Sequence, residues 1–192
     1  MSIIDNELLK HVKSDVVTPD DISKQMSSYL TNSGTLLEPS VGTGNLLKYV
    51  QLENYTRIDV FDIKNEYLEK IECKIESKNE VSINKYNKDF IKYEFGNEYS
   101  NTYDNNTYDN IIMNPPYIRI QNLSEDYRKF IKTNYSICNT GNFDLYYIFI
   151  LKCISLLSLN GVMVCIIPNS YLYNKSAVKL RKYLIENKLI SP

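Results

Sequence analysis

The chain has 192 residues, of which 43% are hydrophobic, and its 22 Lys and Arg nearly balance its 23 Asp and Glu. This length and apolar content fit one domain with a substantial core better than two domains. The net charge of −1 excludes a whole-molecule field that would draw the chain onto nucleic acid, so any such binding must use a local patch or a partner.

Metal-binding and membrane-bound classes are also disfavoured. The four cysteines show no CxxC spacing and His11 is the single histidine, so we expect no metal site and reduced thiols. The N-terminus carries Asp5 and Glu7 without an apolar signal segment, and the later apolar runs are too short to span a bilayer. The sequence therefore predicts a cytoplasmic protein with no membrane contact.

The first half of the chain predicts helices and strands in alternation. After the start signal Thr18-Pro19-Asp20-Asp21, we predict a helix over 23–30, a strand over 34–39, a glycine turn over 40–45, a helix over 46–52, a strand over 57–62, a helix over 66–75 and a short strand over 80–83.

The second half continues this alternation after a polar tract. The pentapeptide Asn-Thr-Tyr-Asp-Asn occurs twice in tandem at 101–110, which indicates a surface loop. We then predict a strand over 109–113, helices over 125–134 and 144–157, a turn at 160–161, a strand over 162–167 and an amphipathic helix over 175–187. The pattern predicts a doubly wound, Rossmann-like α/β sheet that is mostly parallel, with ligands at the carboxyl ends of its strands.

A glycine turn, 38–44 (Glu-Pro-Ser-Val-Gly-Thr-Gly), follows the first predicted strand. Glycines let a backbone approach a ligand closely, but this pair of glycines fits an ordinary βα turn as well as it fits a ligand-binding turn. The lysine of a Walker A motif and the third glycine of a dinucleotide fingerprint are absent. Asp62 lies 18 residues after Gly44, where Rossmann-like folds place a ribose-binding carboxylate. Asp59 or Glu66 could serve instead if the register differs.

The fourth predicted strand ends in Asn114-Pro115-Pro116-Tyr117. Two prolines hold the backbone stiffly, because they fix φ and supply no N–H group. The Asn114 amide oxygen and the Pro115 carbonyl could accept hydrogen bonds from an exocyclic amine, while Tyr117 stacks on the base that carries it. Asp109, at the start of this strand, is a candidate further member of this motif.

These motifs, in this order, resemble the S-adenosylmethionine-dependent N6-adenine DNA methyltransferases of the gamma arrangement, which occur in restriction-modification systems. The segments that carry the resemblance are 17–19 (Val-Thr-Pro), 38–44, Asp89-Phe90, 114–117, 142–146 (Asn-Phe-Asp-Leu-Tyr), 161–168 and 170–172 (Ser-Tyr-Leu).

The resemblance implies S-adenosylmethionine as cofactor, adenine in DNA as substrate, a flipped target base and no metal. The residues that it assigns to the cofactor are Thr18, Pro19, Glu38, Pro39, Ser40, Gly42, Gly44, Asp62, Asp89 and Phe90. Those that it assigns to catalysis are Asn114, Pro115, Pro116 and Tyr117, and those that it assigns to substrate binding are Tyr117, Arg119, Asp144 and Tyr146.

The domain plan follows from the same resemblance. We expect a helical segment over 1–33 with the Thr-Pro motif, and a catalytic domain over 34–192 that lacks its last strands. A C-terminal recognition domain or a separate specificity subunit would complete it. Two alternatives stay open: a methyltransferase for release-factor glutamine or RNA base amines, since these share the Asn-Pro-Pro-Tyr motif, and a non-catalytic subunit that scaffolds a partner.

Overall fold

The computed structural model describes residues 17–72, 83–96, 107–139 and 141–190. The helices within these ranges are α1 (Asp20–Ser27), α2 (Asn65–Glu72), α3 (Glu125–Asn134), α4 (Leu145–Leu156) and α5 (Val178–Glu186). The strands are β1 (Gly34–Glu38), β2 (Tyr55–Asp62), β3 (Ile83–Asn87), β4 (Tyr108–Met113) and β5 (Leu157–Cys165). No helix of the described part is long and apolar enough to cross a membrane.

The five strands form one sheet in the order β3-β2-β1-β4-β5, and every neighbouring pair is parallel. The chain builds outward from β1 through β2 to β3, then crosses back to β4 on the other side of β1. The point between β1 and β4 is therefore the topological switch point, where α/β sheets bind their ligands. The predicted parallel, doubly wound α/β sheet is confirmed.

Both faces of the central strands β1, β2 and β4 are buried, and side chains alternate between these faces along each strand. Ile111 and Met113 of β4 pack in one hydrophobic cluster with residues of α3, α4 and α5. Ile112 points the other way and packs with residues of α1 and α2. Helices therefore pack on both faces of the sheet. A site at the strand ends is formed by the loops that follow the strands.

Two predicted elements of the first half were wrong. Residues 46–52 form no α-helix but contribute to two 3-10 turns, Leu47–Tyr49 and Leu52–Asn54, since so short a segment gains little from isolated helix formation. The third strand is Ile83–Asn87 rather than 80–83, and it pairs with β2 from Ile58↔Ile83 to Asp62↔Asn87. Residues 80–82, the C-terminal part of the predicted helix 66–75 and most of the tandem repeat lie outside the described residues.

The fifth strand begins earlier than predicted. Helix α4 leads directly into β5, where Leu157 pairs with Tyr108 and Val162 with Asn110, so residues 158–161 form an irregularity opposite a single residue of β4. The predicted turn at 160–161 lies inside this irregularity. Glycine is required at 161 because a Cβ there would lie 2.9 Å from the Tyr108 carbonyl oxygen. The last predicted helix, 175–187, is a 3-10 turn, Lys175–Ala177, followed by α5.

Asp109 is a structural residue at the opposite end of β4 from Asn114, roughly 16 Å away at the rise of an extended strand. Its Oδ2 accepts hydrogen bonds from the backbone N–H and the hydroxyl of Thr35 at 3.0 and 3.1 Å. Its Oδ1 accepts from Ser158 Oγ at 3.0 Å. Asp109 therefore ties β4 to its two neighbours, and its candidate place in the Asn-Pro-Pro-Tyr motif was wrong.

Candidate active site

The glycine turn after β1 and the Asn-Pro-Pro-Tyr segment after β4 meet at the switch point. Ser40 Oγ donates a hydrogen bond to the backbone carbonyl of Asn114 at 3.1 Å. Pro115 is buried and Pro116 is partly exposed, so the segment is packed onto the strand ends. Two motifs that are more than seventy residues apart in sequence are thus joined by a direct contact.

Backbone conformation explains the glycines of this turn. Gly42 and Gly44 have φ values of +49° and +75°, which favour glycine. The Gly44 N–H donates to the Val41 carbonyl, and the Val41 N–H donates to the Phe61 carbonyl at the end of β2, both at 2.9 Å. A Cβ on Gly42 would meet no atom within 4 Å, so the turn faces open space there. A ligand can approach the backbone at that point.

Asp62, at the end of β2, supports the same turn. Its Oδ2 accepts from the Gly42 N–H at 2.8 Å, and its Oδ1 accepts from the Lys64 N–H at 2.8 Å. Asp62 thus holds backbone N–H groups of the glycine turn and of the loop after β2. The structure places it beside the turn, as the sequence predicts, and its binding of ribose stays a prediction.

Glu38 is a buried carboxyl group directly below the glycine turn. Its side chain is 1% exposed, and its Oε2 has no hydrogen-bond partner among the described residues. Burial, together with the nearby charge of Asp62, raises the pKa of Glu38 well above its usual range. Buried polar atoms without partners are rare, and a perturbed carboxyl group in such a position is typical of a ligand site.

Asp89, in the loop after β3, shares this property. Its Oδ1 accepts hydrogen bonds from the Tyr127 hydroxyl at 3.1 Å and the Ile91 N–H at 2.9 Å. Its Oδ2 is buried and has no hydrogen-bond partner among the residues that the structure describes. Burial raises the pKa of Asp89, and its hydrogen bonds oppose that shift. One oxygen is therefore held in place and the other is left for an external donor.

Phe90, the residue after Asp89, has a buried ring. Its ring is 2% exposed and packs against Phe61 at 5.3 Å and Phe149 at 5.4 Å between ring centroids. The ring is thus a core side chain, because the loop after β3 turns it inward onto the aromatic cluster. Its predicted contact with the cofactor stays a prediction that the packing does not favour.

The Asn114 side chain is held at both ends. Its Nδ2 donates to Thr18 Oγ1 at 3.0 Å, and its Oδ1 accepts from the Tyr117 hydroxyl at 2.7 Å. The same hydroxyl lies 3.0 Å from the Ile166 carbonyl, so its single proton is shared between two acceptors. Tyr117 is 40% exposed, which leaves its ring accessible at the rim of the site.

The contact between Thr18 and Asn114 was missed in the sequence. Thr18 is buried, and its backbone carbonyl accepts from Asn45 Nδ2 at 2.9 Å. Asn45 directly follows Gly44, the last glycine of the turn. This position was the sequence signal that could have identified a contact between the turn and Thr18. Pro19 is exposed before α1. The Thr-Pro segment therefore reaches both the glycine turn and the Asn-Pro-Pro-Tyr segment.

The remaining predicted substrate residues are Arg119, Asp144 and Tyr146. Arg119 and Asp144 face each other in an isolated antiparallel bridge, with Arg119 exposed and Asp144 partly buried. Burial raises the pKa of Asp144, and the Arg119 charge opposes this. Tyr146 is buried, and its ring meets that of Tyr117 edge-on with centroids 5.9 Å apart. Tyr146 therefore supports the Tyr117 ring, and its contact with the substrate stays a prediction.

This fold is that of the class I methyltransferases. The structure matches a class I S-adenosylmethionine-dependent methyltransferase from Listeria monocytogenes with a TM-score of 0.67, covering 93% of this chain and 55% of that one at 16% sequence identity. Residues 18–192 match the Eco57I restriction-modification methylase family, and the chain belongs to this family.

Two curated relatives illustrate the similarity. Type II methyltransferase M.HincII of Haemophilus influenzae is 34% identical over 178 residues, which cover 88% of this chain and 30% of that protein. Type II methyltransferase M.AccI of Acinetobacter calcoaceticus is 31% identical over 126 residues, which cover 58% of this chain and 23% of that protein. The chain thus spans 30% or less of the length of these relatives.

Proposed function

We propose that this chain carries the catalytic domain, from residue 34 onward, of a DNA methyltransferase that transfers a methyl group from S-adenosylmethionine to N6 of adenine in a restriction-modification system. The observation that carries the proposal is the Asn-Pro-Pro-Tyr segment at the end of β4, bonded to the glycine turn after β1. Membership of the restriction-modification methylase family supports DNA as the substrate. A recognition domain or specificity subunit would select the site.

The buried acceptors fit S-adenosylmethionine, which supplies an electrophilic methyl group when bound. Glu38 Oε2 and Asp89 Oδ2 have no partner among the described residues, and the cofactor has amine donors at its two ends. We assign Glu38 to the methionine ammonium, Asp62 to the ribose hydroxyls and Asp89 to the adenine amino group. The glycine turn would let the backbone approach between them, since nothing lies above Gly42. Among the described residues, no group of three or more His, Cys, Asp or Glu is placed to hold a metal ion.

Asn114 would activate the target amine by accepting a hydrogen bond from one of its two N–H groups. Because Thr18 holds Nδ2, the amide oxygen is directed toward the side where Tyr117 now lies. The target amine would replace the Tyr117 hydroxyl as the donor to that oxygen. The Pro115 carbonyl would accept a hydrogen bond from the second N–H of the amine. Two such hydrogen bonds concentrate the nitrogen lone pair, so that positioning and electrostatics supply most of the rate.

Tyr117 would hold the target base after it leaves the duplex. Extracting a base from its stack costs a few kcal/mol, on the order of what contact with an aromatic side chain returns. The Tyr117 ring is exposed on one side and supported by Tyr146 on the other, which suits this task. Arg119, two residues later, is exposed and would contact a phosphate or a neighbouring base.

The proposal is tested by offering labelled S-adenosylmethionine and the purified protein with DNA, RNA and a release-factor protein in parallel. We expect label in DNA alone, recovered as N6-methyladenine. DNA in which purine replaces adenine is the matched control, because it lacks the exocyclic amine and should take up no label. Label in RNA or protein but not in DNA would overturn the substrate. Cofactor binding without transfer to any of the three would support a scaffolding subunit.

The contact between Thr18 and Asn114 gives a second expected result. Thr18→Val removes the acceptor of the Asn114 amide with little change in shape, so the amide can rotate. We expect the single-turnover rate of methyl transfer to fall roughly 10-fold, the value of about one hydrogen bond. Thr18→Ser keeps the hydroxyl and should retain most of the rate. Equal rates for the Val and Ser variants would contradict the role of this contact.

A further inference from the structure

A partly buried lysine side chain lies beside the loop that carries Asp89. Lys152 lies on α4, and its Nζ donates to the backbone carbonyls of Ile91 at 3.0 Å and Tyr93 at 2.5 Å. The same Nζ lies 5.1 Å from the Phe90 ring centroid, within the range of a cation–π contact. The hydrogen-bond acceptors of this ammonium are thus main-chain oxygens of the loop.

The partial burial of this ammonium has an unfavourable desolvation free energy. A buried ammonium must be compensated by hydrogen bonds, and an apolar side chain would fill the same volume without that cost. The rest of α4 shows this alternative, because its sequence, LYYIFILKCISL, is otherwise almost entirely apolar or aromatic. Packing alone therefore does not explain Lys152.

The contacts of Lys152 lead to Asp89 through one residue. The Ile91 carbonyl accepts from Lys152, while the Ile91 N–H donates to Asp89 Oδ1 at 2.9 Å. The Tyr93 N–H closes the turn by donating to the Asp89 carbonyl at 2.9 Å. Lys152 thus binds two of the residues whose N–H groups contact Asp89, and the second carboxylate oxygen is without a partner among the described residues.

We propose that Lys152 is a positioning residue for cofactor selection, holding the 89–93 turn so that Asp89 Oδ2 meets the exocyclic amine of the cofactor's adenine. This inference rests on the proposed function and deepens it. An amine donates to the carboxylate, whereas a carbonyl oxygen at the same ring position repels it. Lys152 therefore increases the preference for S-adenosylmethionine over its hypoxanthine analogue, which carries that carbonyl.

The charge of Lys152 supplies a pH readout. Burial lowers the pKa of Lys152 to about 8, and the charges of Asp89 and Glu94 on the loop oppose this shift, as does Cys153 on the same helix. Burial also raises the pKa of Cys153 well above its usual range, so this thiol stays neutral. Cofactor affinity should therefore fall as the pH rises through about 8 and the ammonium loses its proton.

The test measures by calorimetry how the wild-type protein, Lys152→Met, Asp89→Asn and the double variant bind S-adenosylmethionine and the hypoxanthine analogue. We expect Lys152→Met to weaken S-adenosylmethionine binding about 10-fold, as for a lost charge-assisted hydrogen bond, with little change for the analogue. The double variant should discriminate no worse than Asp89→Asn alone, because both act on one contact. Lys129→Met, an exposed change on α3, is the matched control.

The outcomes separate the two proposals. Wild-type protein that binds neither ligand would overturn the proposed function itself. Wild-type protein that binds S-adenosylmethionine, with Lys152→Met showing the same discrimination, would overturn this inference alone. If Lys152→Met does not fold by its melting curve, Lys152→Arg decides. Its charge persists, so its affinity should fall less steeply above about pH 8 than that of the wild-type protein. An Arg variant with the wild-type pH profile would count against Lys152.

Discussion

Replacing Asn114 with alanine should lower the rate of methyl transfer roughly 100-fold to 1,000-fold. This is the usual effect of removing one hydrogen-bonding group that stabilises the charge developing in the transition state. The affinity for S-adenosylmethionine should change little. The link between the Asn114 segment and the glycine turn uses the Asn114 backbone carbonyl, which alanine keeps. The lost atoms contact Thr18 and Tyr117, and not Glu38, Asp62 or Asp89.

Single-turnover transfer to adenine-containing DNA, together with calorimetric cofactor binding, measures the two effects separately. Asn114→Asp is an informative companion, because it keeps an acceptor for the target amine but loses the donor to Thr18, and it should have an intermediate rate. Asn134→Ala, at the exposed end of α3, is the control. Transfer by Asn114→Ala at the wild-type rate would rule out the proposed mechanism.

The fold was predictable where burial leaves a mark in the sequence. Strands β1, β2 and β4 are covered on both faces, so their apolar runs indicated them within a residue or two. Strand β3 has only partly buried side chains, with Lys85 and Asn87 among them, so it lacked that signal and was misplaced. In β5, the irregularity over 158–161 resembles a turn because its residues, such as Leu159 at 99% exposure, are not in regular pairing.

The motifs of the site were predictable, but the contacts between them were not. Thr18 and Asn114 are 96 residues apart, and their hydrogen bond depends on the rotamers of two side chains on separate loops. Lys152 is the one charged residue of helix α4, and nothing in the sequence shows that its Nζ donates to the carbonyls of the loop after β3. Periodicity identifies which residues are buried, and it does not show which polar groups meet.

Glu38→Gln should weaken S-adenosylmethionine binding roughly 10-fold to 100-fold, the range for a lost hydrogen bond to a charged group. The pKa of Glu38 is raised, by burial first and by Asp62 second, so the folded protein holds this proton more tightly than the unfolded chain. The stability that Glu38 contributes is therefore complete below its unfolded pKa and is lost as pH rises through the folded pKa. Glutamine cannot ionise, so Glu38→Gln removes this pH-dependent loss of stability. The melting temperature of the variant at neutral pH should therefore not be lower than that of the wild-type protein.

The same carboxyl group and Lys152 together set the pH dependence of cofactor binding. A cationic ammonium favours ionised Glu38, so affinity should increase as pH rises and Glu38 loses its proton, with Asp89, whose pKa is also raised, contributing in the same direction. Deprotonation of Lys152 lowers affinity above about pH 8, so the wild-type profile should be bell-shaped. Glu38→Gln should reduce the acidic limb, leaving the part that Asp89 contributes, and Lys152→Arg should make the alkaline limb less steep. Glu66→Gln, exposed on α2, should preserve both limbs. An acidic limb that persists unchanged in Glu38→Gln would show that Glu38 does not bind the cofactor's cation.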